Sequence, residues 1–316
     1  MTPPPDLSII IVNWNTCALL AGCLQSLHDT IRKHSFEVWV VDNGSTDGSL
    51  AMVRERFPDT RLIANDQNVG FVRANNQALG RCQGRYVLLL NSDTEALAGS
   101  VDTAVSYMDA HPRAGLAGAR LLNADGTFQA SYTAFPNLWR EFLILTALGR
   151  RFIRTEFPSY GPQLAGGPRR ITGYVEGAFL LARRDAVTPV GLLDEAIFMY
   201  AEEVDWCYRF IAAGWEVWYL PQVAITHYGG QSSKKLRTRM EAELYRSRIY
   251  FFRKHYGGAA AFLLKALIYA VTLIKIGVHG ALRAGTRGRR GRVVTGWSEL
   301  RIALGRSDSS SADKTP

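Results

Sequence analysis

The sequence predicts an α/β fold, a mostly parallel sheet flanked by helices, and three observations carry that prediction. Apolar runs of strand length occur at residues 7–13, 38–41, 61–64 and 86–90. Helical patterns lie between them, and this β-α-β-α-β-α-β alternation gives a doubly wound sheet with right-handed crossovers. The runs end in polar residues: Asn13 and Asn15, Asp42 and Asn43, Asn68, then Asn91, Ser92 and Asp93. Open α/β sheets meet their ligands at the carboxyl ends of the strands, so these residues are expected along one edge, facing a nucleotide.

The elements follow in order. After the first run, Leu19, Leu20, Cys23, Leu24 and Leu27 are spaced at three and four, as on one face of a helix. No GxGxxG follows that strand, where Asn13-Trp14-Asn15-Thr16 stands instead, which disfavours a dinucleotide-binding Rossmann domain. The second run ends in residues 42–48, a loop of turn formers and helix caps leading to a helix with Leu50, Met52 and Val53. Asp42 suits a pyrimidine N3–H or a ribose hydroxyl, and equally an Asx turn capping that helix. Residues 65–70 form a polar loop and 71–79 a helix before the fourth strand. Asn91-Ser92-Asp93 offers hard oxygen ligands to Mg²⁺ or Mn²⁺ on a diphosphate, or makes an Asx or Ser turn.

Residues 115–135 read as strands and turns, with a hairpin turn at Asn123-Ala124-Asp125-Gly126. Residues 137–170 carry a helix with Leu138, Phe142 and Leu145, then a loop rich in Arg, Pro and Gly: a surface insertion or a mobile acceptor-side loop. Residues 173–184 are a turn, a buried strand and a basic pair, with Gly177 admitting close approach to a ligand or tight packing. Glu202, Glu203 and Asp205 stand among aromatics at a helix start. Asp205 faces Arg209 at i+4 as a structural ion pair, while Glu202 or Glu203 suits a general base or a favourable helix-terminal charge. Gly214 ends the helix, residues 216–220 form a strand, Pro221 turns the chain, and residues 223–227 form a short strand. That strand ends in His227, which suits a metal, a phosphate or a structural hydrogen bond.

Composition is that of a globular protein: 47% hydrophobic and 21% charged over 316 residues. The net charge of +9 is uneven, because residues 1–233 balance at −4 and residues 234–316 at +13. Four cysteines without metal-ligand spacing fit free thiols in a reducing compartment, and the first residues lack the pattern of a secretory leader. Residues 234–256 are basic and aromatic, and 259–282 are apolar and long enough to span a bilayer. Lys265, Tyr269, Thr272, Lys275, His279 and Arg283 share one sector of a helical wheel, which favours an interfacial helix on anionic lipid over a spanning one. Residues 306–316 are expected to be disordered, and the basic run carries no nucleic-acid recognition motif.

Assembled in order, these segments resemble the family 2 glycosyltransferases of GT-A fold, in their rhamnosyltransferase-like branch. The resemblance spans residues 7–232 and rests on residues 8–15, 41–49, Asn68 to Phe71 with Asn75 and Asn76, and Leu90 to Asp93. Glu176 to Ala178, Arg183 and Arg184, Tyr200 to Asp205 with Arg209, and His227 complete it. It implies an inverting transfer of a sugar, rhamnose from dTDP-rhamnose being the first donor to try, from a dTDP- or UDP-linked donor to a lipid-linked or polysaccharide acceptor. By resemblance the donor lies on Asn13, Asn15, Asp42, Asn43, Asn68, Gly70, Asn76, Asn91, Ser92 and Asp93. Asp93 and His227 would hold Mg²⁺ or Mn²⁺, Glu203 would be the base, and Gly177, Arg183 and Trp206 would lie on the acceptor side. Two departures stand out: Asn91 replaces the first carboxylate of the metal motif, and Glu203 replaces its catalytic Asp, leaving Glu202 and Asp205 as alternatives. The expected layout is a flexible 1–6, a nucleotide-binding half 7–110, an acceptor half 111–232, a membrane-associating 233–305 and a tail. The expected location is the cytoplasmic face of the plasma membrane, peripheral or monotopic, with an oligomer left open. The rival readings are a non-catalytic membrane scaffold of the same fold and a nucleotidyltransferase; for the latter the chain lacks a Gly-rich triphosphate loop.

Overall fold

A computed structural model of the chain describes residues 3–153, 157–160, 166–229 and 237–285, with side chains of the last segment described for 243–277. The expected tail at 306–316 lies outside the described residues. The first half runs β1 (Leu7–Asn13), α1 (Cys17–Thr30), β2 (Phe36–Asp42), α2 (Ser49–Arg56), β3 (Arg61–Ala64), α3 (Phe71–Leu79) and β4 (Tyr86–Asn91). Next come β5 (Thr94–Ala96), α4 (Ser100–Ala110), β6 (Ala114–Leu122), β7 (Phe128–Gln129), β8 (Tyr132–Ala134), α5 (Leu138–Leu145) and α6 (Leu148–Phe152). The chain continues with β9 (Arg169–Ile171), β10 (Gly173–Val175), β11 (Phe179–Arg183), α7 (Arg184–Val190), α8 (Glu202–Ala212), β12 (Glu216–His227) and α9 (Arg237–Gly285).

The main sheet has the order β3-β2-β1-β4-β11-β6-β12-β5. Strands β1 to β4 are mutually parallel, β11 lies antiparallel between β4 and β6, and β6 and β12 are parallel. Ile9, Ile11, Val40, Leu88 and Leu90 from the sheet bury against Leu20, Leu24 and Leu27 of α1, which is what the spacing of those leucines requires.

The second half departs from the expected layout in three places. Pro221 does not end a strand: β12 runs through it, and a register shift between Leu220 and Ala224 absorbs the irregularity as a bulge. No local pattern announces β5, whose residues pair antiparallel with the end of β12, Thr94 opposite His227. Residues 136–157 do not group with the acceptor half either. The chain divides into one compact unit of residues 1–135 and 158–234 and another of residues 136–157 and 235–316. In the second unit the buried Glu141 of α5 takes both oxygens to Arg248 Nη1 of α9, at 2.8 and 2.7 Å. Its partner lies more than 100 residues away, beyond the reach of any local pattern.

Within α9, Gly257 (φ 89°, ψ 170°) interrupts the helical backbone. Its stretch Glu243–Gly277 is long and apolar enough to cross a membrane by length and composition, with a mean hydropathy of 1.9 over its most apolar window. Ala261, Leu264, Ile268, Val271 and Thr272 are buried, whereas Phe262, Leu263, Leu273 and Ile274 are exposed. Of the expected polar stripe, Thr272 is buried, Tyr269 and Lys275 are half-buried and Lys265 is exposed, while the side chains of His279 and Arg283 lie outside those described.

Candidate active site

The β4 edge is built by register. Because β5 pairs with the end of β12, Asp93 lies beside His227, and Tyr228 N donates to the Asp93 carbonyl at 2.9 Å. Asp93 Oδ1 is 3.3 Å from His227 Nε2, and Asn91 Nδ2 is 3.4 Å from the same nitrogen. Gln129 on β7 fixes the imidazole from behind. Its Nε2 donates to Asn123 Oδ1 (3.1 Å) and to the His227 carbonyl (3.4 Å), so its Oε1 faces His227 Nδ1 at 2.6 Å. An acceptor there puts a ring hydrogen on Nδ1, and Nε2 faces both Asp93 Oδ1 and the Asn91 amide. A carboxylate and an imidazole nitrogen 3.3 Å apart are a donor set that a divalent cation can use, and a protonated imidazole would pair with the same carboxylate.

The acidic start of α8 approaches the same edge. Asn91 N donates to the Ala178 carbonyl, and a Cβ placed on the neighbouring Gly177 would be 3.6 Å from Glu203 Cβ. Tyr200 and Ala201, just before the helix, both hold positive φ (66° and 68°), backbone strain of about 1–3 kcal/mol each that the surrounding fold sustains. This twist starts the helix so that Glu202 is buried and Glu203 half-buried. Burial first, and the Glu203 charge second, push the Glu202 carboxyl well above the usual carboxylate range, and its Oε2 has no hydrogen-bond partner. The pair thus divides into a carboxyl biased to stay protonated and a more exposed carboxylate suited to accept a proton. Burial, then the charges of Glu203 and Glu176, also raise the Cys207 thiol, so both carboxylates lie in its neighbourhood.

The β1 and β2 ends are different. Asn13 is fully buried, donates to Asp42 Oδ1 (2.8 Å) and Ser45 Oγ (3.1 Å), and accepts from Thr16 Oγ1 (2.6 Å). Asp42 is 1% exposed, and its Oδ2 accepts from Ser45 N at 2.9 Å, the Asx-turn alternative. Asn43 is likewise buried, bonded to Asn65, Asn68 and Gly70. These three shape the loop from within. On the surface stand Asn15, which accepts from Thr46 N, and Asn68, which accepts from Gly70 N. Gly70 (φ 94°) has room for no side chain, since a Cβ would lie 2.7 Å from the Phe198 ring. Ser92 is buried and shares a hydrogen bond with Thr16 at 2.9 Å.

Four expected site residues are not brought to the edge. Asn76 is a tether, with both amide atoms bonded to the Leu193 backbone at 2.9 and 3.1 Å. Arg183 pairs with Tyr86 at the start of β4, at the other end of the sheet from Asn91, because β11 is antiparallel. There its guanidinium donates to the carbonyls of Ala114 and His111. Trp206 is fully buried, with Nε1 donating to the Gly191 carbonyl and its ring edge-on to Phe210. Asp205, 1% exposed, holds Arg209 Nε at 2.8 Å, the ion pair expected at i+4. The sequence reading missed Gln129 and the Tyr200-Ala201 twist. The alternation of polar and apolar residues in 127–132 was the one available sign that Gln129 sits on a strand.

Known structures share this architecture. The mannosyltransferase PcManGT from Pyrobaculum calidifontis, solved with GDP-Man and Mn²⁺, superposes with a TM-score of 0.55 at 16% identity, over 96% of this chain and 87% of that one. S. aureus TarS 1–349 in complex with UDP gives 0.52 at 16% identity, over 83% and 65%. The fold is the GT-A fold. Residues 8–175 match the family described as glycosyl transferase family 2. An N-acetylglucosaminyl-diphospho-decaprenol L-rhamnosyltransferase of Mycobacterium tuberculosis is 30% identical over 239 residues, covering 72% of this chain and 77% of its own. The amylovoran biosynthesis glycosyltransferase AmsE of Erwinia amylovora is 29% identical over 109 residues, covering 34% of this chain and 41% of its own. The chain belongs to glycosyl transferase family 2, in its rhamnosyltransferase-like branch.

Proposed function

We propose that the protein is an inverting glycosyltransferase that moves a sugar from a nucleoside diphosphate to a hydroxyl of a lipid-linked glycan, working at the cytoplasmic face of the plasma membrane. Rhamnose from dTDP-rhamnose is the first donor to try. The observation that carries this reading is the convergence of Asp93, His227 Nε2 and Asn91 on the edge where Glu203 packs beside the open space at Gly177. The relative named as an L-rhamnosyltransferase acting on a diphospho-decaprenol supports the choice of donor and acceptor.

Asp93 and His227 would hold Mg²⁺ or Mn²⁺. Among the described residues no group of three or more His, Cys, Asp or Glu could enclose a metal, which suits an ion that keeps waters and shares substrate phosphates. Held there, such an ion would supply positive charge against the departing diphosphate. The chain's own residues do the rest. Glu203 takes the proton of the acceptor hydroxyl while that oxygen bonds to the anomeric carbon and the carbon–oxygen bond to the diphosphate breaks. Glu202, kept protonated, spares Glu203 a second negative charge at the helix start.

The test is turnover of dTDP-rhamnose with a short-chain N-acetylglucosaminyl-diphospho-lipid, with Mg²⁺ or Mn²⁺ and with EDTA. The expected result is metal-dependent product of inverted anomeric configuration, and a kcat lowered roughly 10²–10⁴-fold in Glu203→Gln with donor affinity unchanged. No turnover across dTDP-, UDP- and GDP-sugars, or full activity in Glu203→Gln, would contradict it.

A further inference from the structure

We propose that α5 and α6 form a second membrane-contacting element, which seats Trp139, Phe152 and Ile153 in the headgroup region of an anionic bilayer. This rests on the reading of the chain as a transferase that meets its acceptor at a membrane, and adds to it a surface outside the C-terminal region.

Trp139 is 66% exposed, Phe152 72% and Ile153 56%, large apolar groups in water on two short neighbouring helices. One exposed apolar side chain is ordinary, but these are interleaved with cations. Arg140 follows Trp139, and Arg150 and Arg151 precede Phe152, with the Arg151 guanidinium 5.3 Å over the Phe152 ring. Residues 136–153 contain one acidic residue, Glu141, and Arg248 neutralises it in a buried pair. What this segment offers a partner is therefore aromatic and positive. Trp, Phe and Arg together fit the boundary between headgroups and acyl chains, where rings bury and guanidinium groups meet phosphate. A second copy of the same surface would repel through its like charges, so the occupant we assign is anionic lipid.

The segment is also held as a platform. Leu143 and Leu145 are buried, Trp139 stacks on Phe142 with centroids 5.5 Å apart, and the Glu141–Arg248 pair ties α5 to α9. The same compact unit carries the exposed apolar sector of α9, with Phe262, Leu263, Leu273 and Ile274. Single interfacial signals bind membranes marginally and two act together, which is the physical benefit of a second contact.

The experiment is co-sedimentation of the full chain with sucrose-loaded vesicles of phosphatidylcholine alone or with phosphatidylglycerol. The wild type is set against Trp139→Ser/Phe152→Ser, Arg150→Gln/Arg151→Gln and Phe262→Ser/Leu273→Ser, with thermal melting as the check on folding. Expected are preferential binding of the wild type to phosphatidylglycerol vesicles, a partition lowered roughly tenfold or more in the aromatic variant, and loss of the lipid preference in the arginine variant. Unchanged binding by the aromatic variant, with binding lost in the α9 variant, would overturn the α5–α6 proposal and leave membrane association standing. Failure of the wild type to bind either vesicle would overturn both. A lipid-free dimer that dissociates in the aromatic variant would assign the surface to a second copy instead.

Discussion

At the ends of β1 and β2, Asn13, Asp42 and Asn43 are buried and bonded to one another or to their own loops. At the ends of β4 and β12, Asp93 Oδ1 and His227 Nε2 stand 3.3 Å apart, and at the start of α8 the buried Glu202 Oε2 has no hydrogen-bond partner. Both regions present Asn and Asp after an apolar strand, and their local sequences look alike. The difference lies in the partners: neutral amide N–H groups hold Asp42, whereas an imidazole stands beside Asp93. A polar strand end held by neutral amide groups of its loops shapes them, whereas one that sets a carboxylate against an imidazole is where chemistry is to be sought.

This contrast can be broken by substitution. Asp93→Ala should lower kcat/KM by roughly 10³-fold or more, with the denaturation midpoint almost unmoved, as measured by initial rates and urea unfolding. Gln129→Leu removes the acceptor that fixes the imidazole and should weaken Mn²⁺ binding by about 10- to 100-fold, measured by titration calorimetry. Asp42→Ala should do the opposite of Asp93→Ala. It strips Asn13 Nδ2 and Ser45 N of their acceptor and should cost about 2–4 kcal/mol in urea unfolding, with a smaller change in donor KM than Asp93→Ala causes. A large KM effect without loss of stability would erase the distinction.

The smallest effect concerns Glu202. Its folded carboxyl is raised, so the native state holds a proton that the unfolded chain releases near its ordinary value, about 4.3. The native state then binds more protons, and stability falls as pH rises above that value, until the folded carboxyl itself ionises. Glu202→Gln should remove this loss, narrowing the difference in melting temperature between pH 5 and pH 8. A wild-type stability that rises over that range, with no change in the variant, would contradict a neutral Glu202.

Much of this was legible in the sequence, for a physical reason. Strand ends, helix starts and i+4 pairs are local, so β1 to β4, the Asp205–Arg209 pair and the acidic start of α8 could be read from spacing alone. Features that depend on register were not legible. Nothing local says that Thr94 pairs with His227, that Gln129 reaches its imidazole, or that Arg183 ends an antiparallel strand and so lies at the far edge. Trp206, expected on the acceptor side by resemblance, is likewise turned inward by the helix phase, to Gly191 and Phe210. The same holds for Glu141 and Arg248, whose pairing places α5 in the C-terminal unit.

The central claim, that Asp93 and His227 form the metal and diphosphate site while Glu203 does a separate task, is tested most directly by Mn²⁺ titration followed by EPR in the presence of dTDP. Asp93→Ala and His227→Ala should each raise the Kd for Mn²⁺ at least tenfold, while Glu203→Gln leaves it where the wild type has it. Wild-type Mn²⁺ binding in both Asp93→Ala and His227→Ala, or its loss in Glu203→Gln, would contradict that division.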